Sequence, residues 1–363
     1  MLPDHPQSRL NGRKKATSCN ASQLSPFLFF LACPAEILVI FWQICIFAAY
    51  ETGVCLEHIM FCFFVDLNHS SSVCRQCGDV CSTNYDTREK GRFYPLLRKK
   101  VDCDSIMHRM AFCPFEIVRP PPRQPPDDLL EHFTMNGHCR LGPPWYWDNS
   151  APAEPERFTA ERFNALLKRD NEGVIINHYH DQNTLKPALR RYINAIKNKH
   201  VAVIGTEVPW AEAVLINLGV NKVTTVEYRG IIIEHPRVHV ITPYKLAGKF
   251  LNRTADIFDA AFSYSSIEHA GLGRYDDPLM PYGDMEAMAQ IWCATKPGGY
   301  LFLALPMTDY RKACILQWNA HRVYDYVRMQ HLTANWKVLD EINLLDSHFL
   351  YVMQKGNDHK PDS

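Results

Sequence analysis

Residues 200–227 read HVAVIGTEVPWAEAVLINLGVNKVTTVE. Val201–Ile204 is a short apolar run stopped by Gly205, the pattern of a strand buried on both faces of a parallel sheet. Trp210–Leu218 has the composition of a helix ended by Gly219, and Val223–Val226 is a β-branched run ended by the acidic Glu227. A strand, a helix and a second strand within so few residues make one βαβ unit. Its two strand ends carry a glycine and a carboxylate 22 positions apart.

The same alternation continues to the C-terminus. Val238–Ile241 reads as a third strand, Lys245–Leu251 as a helix, Phe258–Ser263 as a fourth strand and Asp284–Thr295 as a helix. Lys296-Pro-Gly-Gly299 breaks that helix before a fifth strand, Tyr300–Leu305. After a helix near Asn319–Gln330 come two strands, Trp336–Leu344 and His348–Gln354. The connection between them is too short for a right-handed crossover, so this pair is expected to be antiparallel. The predicted fold class is α/β: a doubly wound, mostly parallel seven-stranded sheet with a terminal antiparallel hairpin and helices on both faces. Upstream, Thr159–Arg169 (Thr159 as N-cap) and Thr184–Lys197 read as lead-in helices with apolar residues at helical spacing.

Ligands of such sheets bind beyond the carboxyl ends of the strands. Gly205 permits a sharp turn and close backbone approach, with Thr206, Glu207 and Trp210 following it, and Pro209 suits the first helical turn. Glu227 is spaced to accept hydrogen bonds from two ribose hydroxyls, with Tyr228 beside it. These residues, with Ser265 after the fourth strand, form the candidate binding set for a nucleoside-bearing cofactor. An ordinary glycine turn and a surface glutamate are the bland alternative. On the loop after the fourth strand, His269 is the candidate general base and Glu268 its orienting partner, against a buried structural histidine as the other reading. Arg274, Tyr275 and Asp276 lie on a long loop from Gly271 to Asp284, expected to cover an acceptor; its glycines and Pro278 fit a lid as well as a solvated connector. His321 and Arg322 approach from the other side, Arg322 suiting a carboxylate or phosphate.

These elements resemble class I S-adenosylmethionine-dependent methyltransferases: a strand ending in glycine, a strand ending in acid, Phe258-Asp-Ala-Ala-Phe-Ser263 leading to Ile267-Glu-His269, and Lys296-Pro-Gly-Gly299 before the fifth strand. More closely, Pro209-Trp-Ala-Glu212, Glu227-Tyr228, the run from Ser265 to Tyr275, Tyr282-Gly-Asp284 and Asn319-Ala-His-Arg322 resemble an uncharacterised Caenorhabditis domain-of-unknown-function family, roughly from His200 to the end. The resemblance implies a Rossmann-like methyltransferase domain with S-adenosylmethionine as cofactor and a small-molecule or glycan acceptor. The family name supplies no activity. The first loop departs from the glycine-rich class I pattern, which keeps open a catalytically inactive fold acting as a binding or scaffold module. A nicotinamide-dependent oxidoreductase is disfavoured by the missing G-x-G-x-x-G and by the Lys-Pro-Gly-Gly turn.

The rest of the chain bounds location and partners. Lys+Arg and Asp+Glu are 39 each, so there is no basic surplus and nucleic acid is not the expected partner. Leu24–Tyr50 is a 27-residue apolar stretch preceded by Arg9, Arg13, Lys14 and Lys15 and followed by Glu51 and Glu57. It reads as a single-pass signal-anchor with the remainder in the secretory lumen, with a cleaved signal or a buried segment of a cytoplasmic protein as alternatives. Of 13 cysteines, 11 lie between Cys19 and Cys139. Cys74, Cys77 and Cys81 lack a matching second pair, so disulfides or free thiols are favoured over a metal site. His178, Tyr179, His180 and Asp181 have metal-ligand residue types, yet no third ligand is evident and a polar loop is the better reading. The expected division is a basic tail (1–23), the apolar segment (24–50), an irregular Cys/Pro-rich region (51–150), a helical lead-in (151–199), the methyltransferase-like domain (200–356) and a tail (357–363).

Overall fold

Strand and helix alternate from His200 as the sequence periodicity requires. The computed structural model describes residues 102–356 except 113–116, 136, 144, 149–153, 178–181, 310–311 and 346. The apolar stretch 24–50, the Cys74–Cys81 cluster and the His178–Asp181 cluster lie outside the described residues. Among the described residues no helix is long and apolar enough to cross a membrane.

In chain order the elements are α1 (Cys103–Phe112), α2 (Leu130–Phe133), β1 (Arg140–Leu141), β2 (Glu156–Phe158), α3 (Ala160–Asn171), α4 (Gln182–Arg191) and α5 (Ile193–Ile196). The sheet domain follows with β3 (His200–Ile204), α6 (Trp210–Asn217), β4 (Lys222–Val226), β5 (Ile231–Ile233), β6 (Val238–Ile241), α7 (Pro243–Leu251) and β7 (Phe258–Tyr264). After a 3-10 turn at Ile267–His269 come α8 (Gly283–Ala294), β8 (Thr295–Pro306), β9 (Ile315–Gln317), β10 (His321–Val323), α9 (Tyr326–Leu332), β11 (Trp336–Leu345) and β12 (His348–Lys355).

The main sheet has seven strands in the order β11-β12-β8-β7-β3-β4-β6. β6, β4, β3, β7 and β8 run parallel, whereas β12 pairs antiparallel with both β8 and β11. Strand order reverses on either side of β3, which is what places a ligand crevice at the carboxyl ends of β3, β4 and β7. Each face carries its own core. One joins Ala202, Ala261 and Leu301 to α7 and α8, the other joins Val203, Phe262 and Phe302 to α6. Local chemistry sets the helix starts: Thr159 accepts from the Arg162 N–H to begin α3, and Thr242 accepts from the Lys245 N–H to begin α7, with Pro243 in its first turn.

Three expectations are corrected. The lead-in helix Thr184–Lys197 is two pieces, α4 and α5, broken at Tyr192. The helix expected over Asn319–Gln330 begins only at Tyr326. Its first part is the hairpin β9–β10, turned at Asn319 with φ +50°, and this hairpin joins β1 in a small three-stranded sheet. The fifth strand starts at Thr295, so Lys296-Pro-Gly-Gly299 lies within β8.

The segment before residue 200 packs as part of the same body. α1 buries Ile106, Met107 and Met110 in the core on the α7–α8 face. A disulfide joins Cys103 to Cys293 of α8, and a second joins Cys139 to Cys314 beside β9.

Candidate functional site

β3 ends into Gly205, whose φ of +73° favours glycine. A Cβ there would stand 2.0 Å from Oγ of Ser266, on the loop after β7, so the two loops meet at van der Waals limits. The Thr206 N–H donates to Oε2 of Glu227 at 2.7 Å and the Arg229 N–H donates to Oε1 at 3.0 Å. The first two strand ends are thereby bound together through the Glu227 carboxylate. Glu227 is buried, and burial pushes its carboxyl up to about 7 against the pull of those N–H groups. Behind it Glu212 of α6, fully buried, accepts from Thr225 Oγ1 at 2.7 Å and is likewise pushed up to about 7 by burial.

Gly205, Thr206, Glu207, Trp210, Glu227, Tyr228 and Ser265 all line one cavity of about 690 Å³. This volume falls within the range of about 300–1,000 Å³ usual for small-molecule sites. Trp210 is mostly committed to the core, edge-on to Phe262 and Tyr264 with ring centres 6.3 and 5.1 Å apart. Glu207 takes an ion pair from Arg229 at 3.4 Å.

The other end of the cavity is built by the loop after β7. Ser265 donates from Oγ to Oε1 of Glu268 at 2.5 Å. Glu268 is 1% exposed, its Oε2 has no hydrogen-bond partner, and burial raises its carboxyl to about 7. His269 contacts the carbonyl of Ala320 through Nδ1 at 2.5 Å. A carbonyl only accepts, so Nδ1 carries the proton and Nε2 keeps a lone pair. Burial first, and then the nearby Arg274 cation, depress the imidazole to about 3, so the ring stays neutral throughout the physiological range. Arg274 also donates to the Ala320 carbonyl at 3.3 Å, and its guanidinium covers the rings of Trp147 and Tyr275 at 5.4 and 4.7 Å. His321 faces His269 with ring centres 6.0 Å apart and is depressed to about 4, mainly by burial.

Of the residues assigned from sequence, Glu268, His269, Arg274, Tyr275 and His321 line the cavity with the seven above, whereas Asp276 and Arg322 do not. Asp276 is buried against Arg119 at 2.5 Å. Arg322 is 2% exposed and donates to the carbonyls of Ala270 and Pro281 at 2.6 and 3.1 Å, so it braces the loop from behind. The loop 271–283 is also no swinging lid. Oδ2 of Asp277 accepts the N–H groups of Gly271, Leu272 and Gly273 at 2.7–3.1 Å, and Oδ1 accepts that of Tyr275 at 3.0 Å. A Cβ on Gly283 would lie 2.6 Å from the Gly271 backbone, so the two ends of the loop touch.

Sequence reasoning missed Trp145 and Trp147, which reach the cavity from the region 51–150 that it read only as irregular and Cys/Pro-rich. Asn319 holds Trp147 there: its Oδ1 accepts the Trp147 N–H at 2.7 Å and its Nδ2 donates to the Trp147 carbonyl at 2.5 Å. Two tryptophans within three residues were the available signal. His348, stacked on Tyr264, also lines the cavity and carried no signal at the head of a mostly apolar strand.

Residues 198–350 match the family model described as Caenorhabditis protein of unknown function, DUF268. This bears out the resemblance carried by the motifs between Pro209 and Arg322. No curated protein matches the chain. Solved structures with similarity include a Burkholderia thailandensis 1,6-didemethyltoxoflavin-N1-methyltransferase, determined with bound 1,6-didemethyltoxoflavin and S-adenosylhomocysteine. That chain is 14% identical, with 57% of this chain and 94% of that one covered and a TM-score of 0.34. The N-methyltransferase NodS from Bradyrhizobium japonicum is 13% identical over 48% of this chain and 97% of its own, with a TM-score of 0.32. A putative S-adenosylmethionine-dependent methyltransferase from Listeria monocytogenes is 9% identical over 47% and 97%, with a TM-score of 0.31.

Proposed function

We propose that this protein is an S-adenosylmethionine-dependent methyltransferase that acts on a hydroxyl of a glycan or small metabolite within the secretory pathway, anchored by residues 24–50. One observation carries the reading: the buried carboxylate of Glu227 stands at the end of β4 against the Gly205–Thr206 turn at the end of β3, and both face the cavity that holds His269. A carboxylate has about four lone-pair positions, and two are taken by the Thr206 and Arg229 N–H groups. The remainder suit a ribose diol, so the residues present fit an adenosyl group. When bound, S-adenosylmethionine supplies an electrophilic methyl carbon on a sulfonium sulfur.

The chain's own part is to bind, orient and take a proton. Nε2 of His269 is fixed as an acceptor by the Nδ1–Ala320 contact. An imidazole depressed to about 3 is a weak base. It suffices here, because a hydroxyl oxygen that has begun to bond carbon is far more acidic than the free alcohol. Glu268, with an unpartnered Oε2 and a carboxyl near neutrality, presents a hydrogen-bonding group beside it. The disulfides Cys103–Cys293 and Cys139–Cys314 suit an oxidising lumen, and the exposed Asn252-Arg253-Thr254 triplet is accessible for glycosylation.

Calorimetric titration of the full chain with S-adenosylhomocysteine tests the cofactor site. One-to-one binding in the micromolar range is expected, weakened roughly 10- to 100-fold by Glu227→Ala through loss of charged hydrogen-bond acceptors. A folded chain that evolves no binding heat would leave the second reading, a non-catalytic binding module, which the single-glycine first loop favours.

A further inference from the structure

The cavity is longer than a cofactor site at the strand ends requires. It touches Tyr264 and Ser265 at the carboxyl end of β7 and also Phe258, the first residue of that strand. The six steps from Phe258 to Tyr264, at about 3.3 Å each, make a path of about 20 Å along the sheet. Its inner walls are mainly apolar: Ala202 of β3, Phe258 and Ala261 of β7, Ala294 of α8 and Met107 of α1 line it, each at most 2% exposed, with the amide of Gln290 of α8 the polar exception. Small alanines on the sheet and at the end of α8 leave room that larger side chains fill in a close-packed interior.

The outer wall is fixed in place. α1 is held by the Cys103–Cys293 disulfide, by Arg109 against Glu286 at 3.2 Å and by Asp104 against Arg253 at 2.8 Å. Two ties to α8 and one to the turn after α7 hold α1 in its place over the sheet. Glu227 would hold an adenosyl group at the strand ends, whereas the alanine, methionine and phenylalanine side chains farther in offer a polar ring little to bind. An empty apolar arm of this size costs stability, whereas a hydrocarbon fills it favourably.

We infer that the inner arm takes an aliphatic chain, so that the methyl acceptor is an amphiphile: its hydroxyl-bearing head lies at His269 under Trp145 and Trp147, and its tail runs along β7 toward Phe258. The arm is read from the cavity alone, while the role given to the head rests on the methyltransferase reading. With S-adenosylmethionine as donor, the methyl carbon would leave sulfur with the electron pair staying on sulfur, and would bond the head oxygen; the hydroxyl proton would pass to Nε2 of His269 and on to water.

The probe is a series of n-alkyl glucosides from butyl to octadecyl, each below its micellar concentration, titrated into the full chain with and without S-adenosylhomocysteine. The expected result is affinity that tightens about fourfold per added methylene up to a cut-off, with Ala261→Leu moving the cut-off to a shorter chain. Affinity independent of chain length, or a gain that continues to the longest member with no cut-off, overturns the inference. If Ala261→Leu does not fold, the unaltered protein's series decides alone. S-adenosylhomocysteine binding without chain-length dependence removes the tail and leaves the methyltransferase. Chain-length dependence without S-adenosylhomocysteine binding keeps the aliphatic arm and removes the methyltransferase reading.

Discussion

Glu227 holds two main-chain N–H groups with one carboxylate and, in the proposed function, keeps lone pairs for a ribose, a double duty that makes its protonation state matter. Burial raises its carboxyl to about 7, so the charged acceptor form predominates above that pH and the neutral acid, with fewer lone pairs to offer, below it. S-adenosylhomocysteine affinity is therefore expected to fall as pH drops from 8 to 6, by up to about tenfold per unit. Glu227→Gln should show weaker affinity that no longer varies with Glu227, which calorimetry at three pH values checks. A retained pH slope in that variant would assign the titration to Glu212 or Glu268, both also pushed to about 7. Gly205 and Glu227 were legible because strand-end chemistry is local: a run of β-branched residues ending in a glycine or an acid marks its own terminus. Arg322 was misread because sequence gives residue type but not facing. Nothing in Asn319-Ala-His-Arg322 tells whether the guanidinium meets a substrate or the carbonyls of Ala270 and Pro281.

The loop from Gly271 to Gly283 shows how an element's composition misleads about its motion. Its glycines and Pro278 suggested a lid, yet one carboxylate, that of Asp277, gathers four N–H groups and turns the loop into a rigid wall. Asp277→Ala leaves those buried donors unsatisfied and is expected to cost about 2–4 kcal/mol, read as a lower urea midpoint with new protease cleavage inside the loop. An unchanged midpoint would mean that the wall is held mainly by Arg322 and Arg328 through Pro281 and Asp284. The hairpin β9–β10 is a related case. Residues 319–330 have mixed propensity, and a helix was expected there. The left-handed turn at Asn319 and the pairing of β9 with β1, some 175 residues upstream, settle the strand form.

On the scale of the whole molecule, α1 and the Trp145–Trp147 segment are part of the domain although they precede its first strand by many residues. The two disulfides close loops of 190 and 175 residues, which in the chain-entropy view stabilises the fold by about 2–5 kcal/mol each. Cys103→Ser with Cys293→Ser should lower the melting temperature by several degrees and, by freeing α1, shorten or abolish the chain-length cut-off of the alkyl glucosides. A variant that melts as the parent does would show that Arg109–Glu286 and core packing hold α1 unaided. By itself the sequence determined the alternation of strands and helices, the antiparallel β11–β12 pair and the chemistry at the ends of β3, β4 and β7, because hydrophobic period and strand-end residues act over a few neighbours. Only the tertiary structure decided which histidine nitrogen is free, that Arg322 and Asp276 face inward, and that a helix 90 residues before β3 roofs an apolar arm beside the sheet. Those depend on contacts between segments far apart in the chain, for which neither periodicity nor local propensity carries any information.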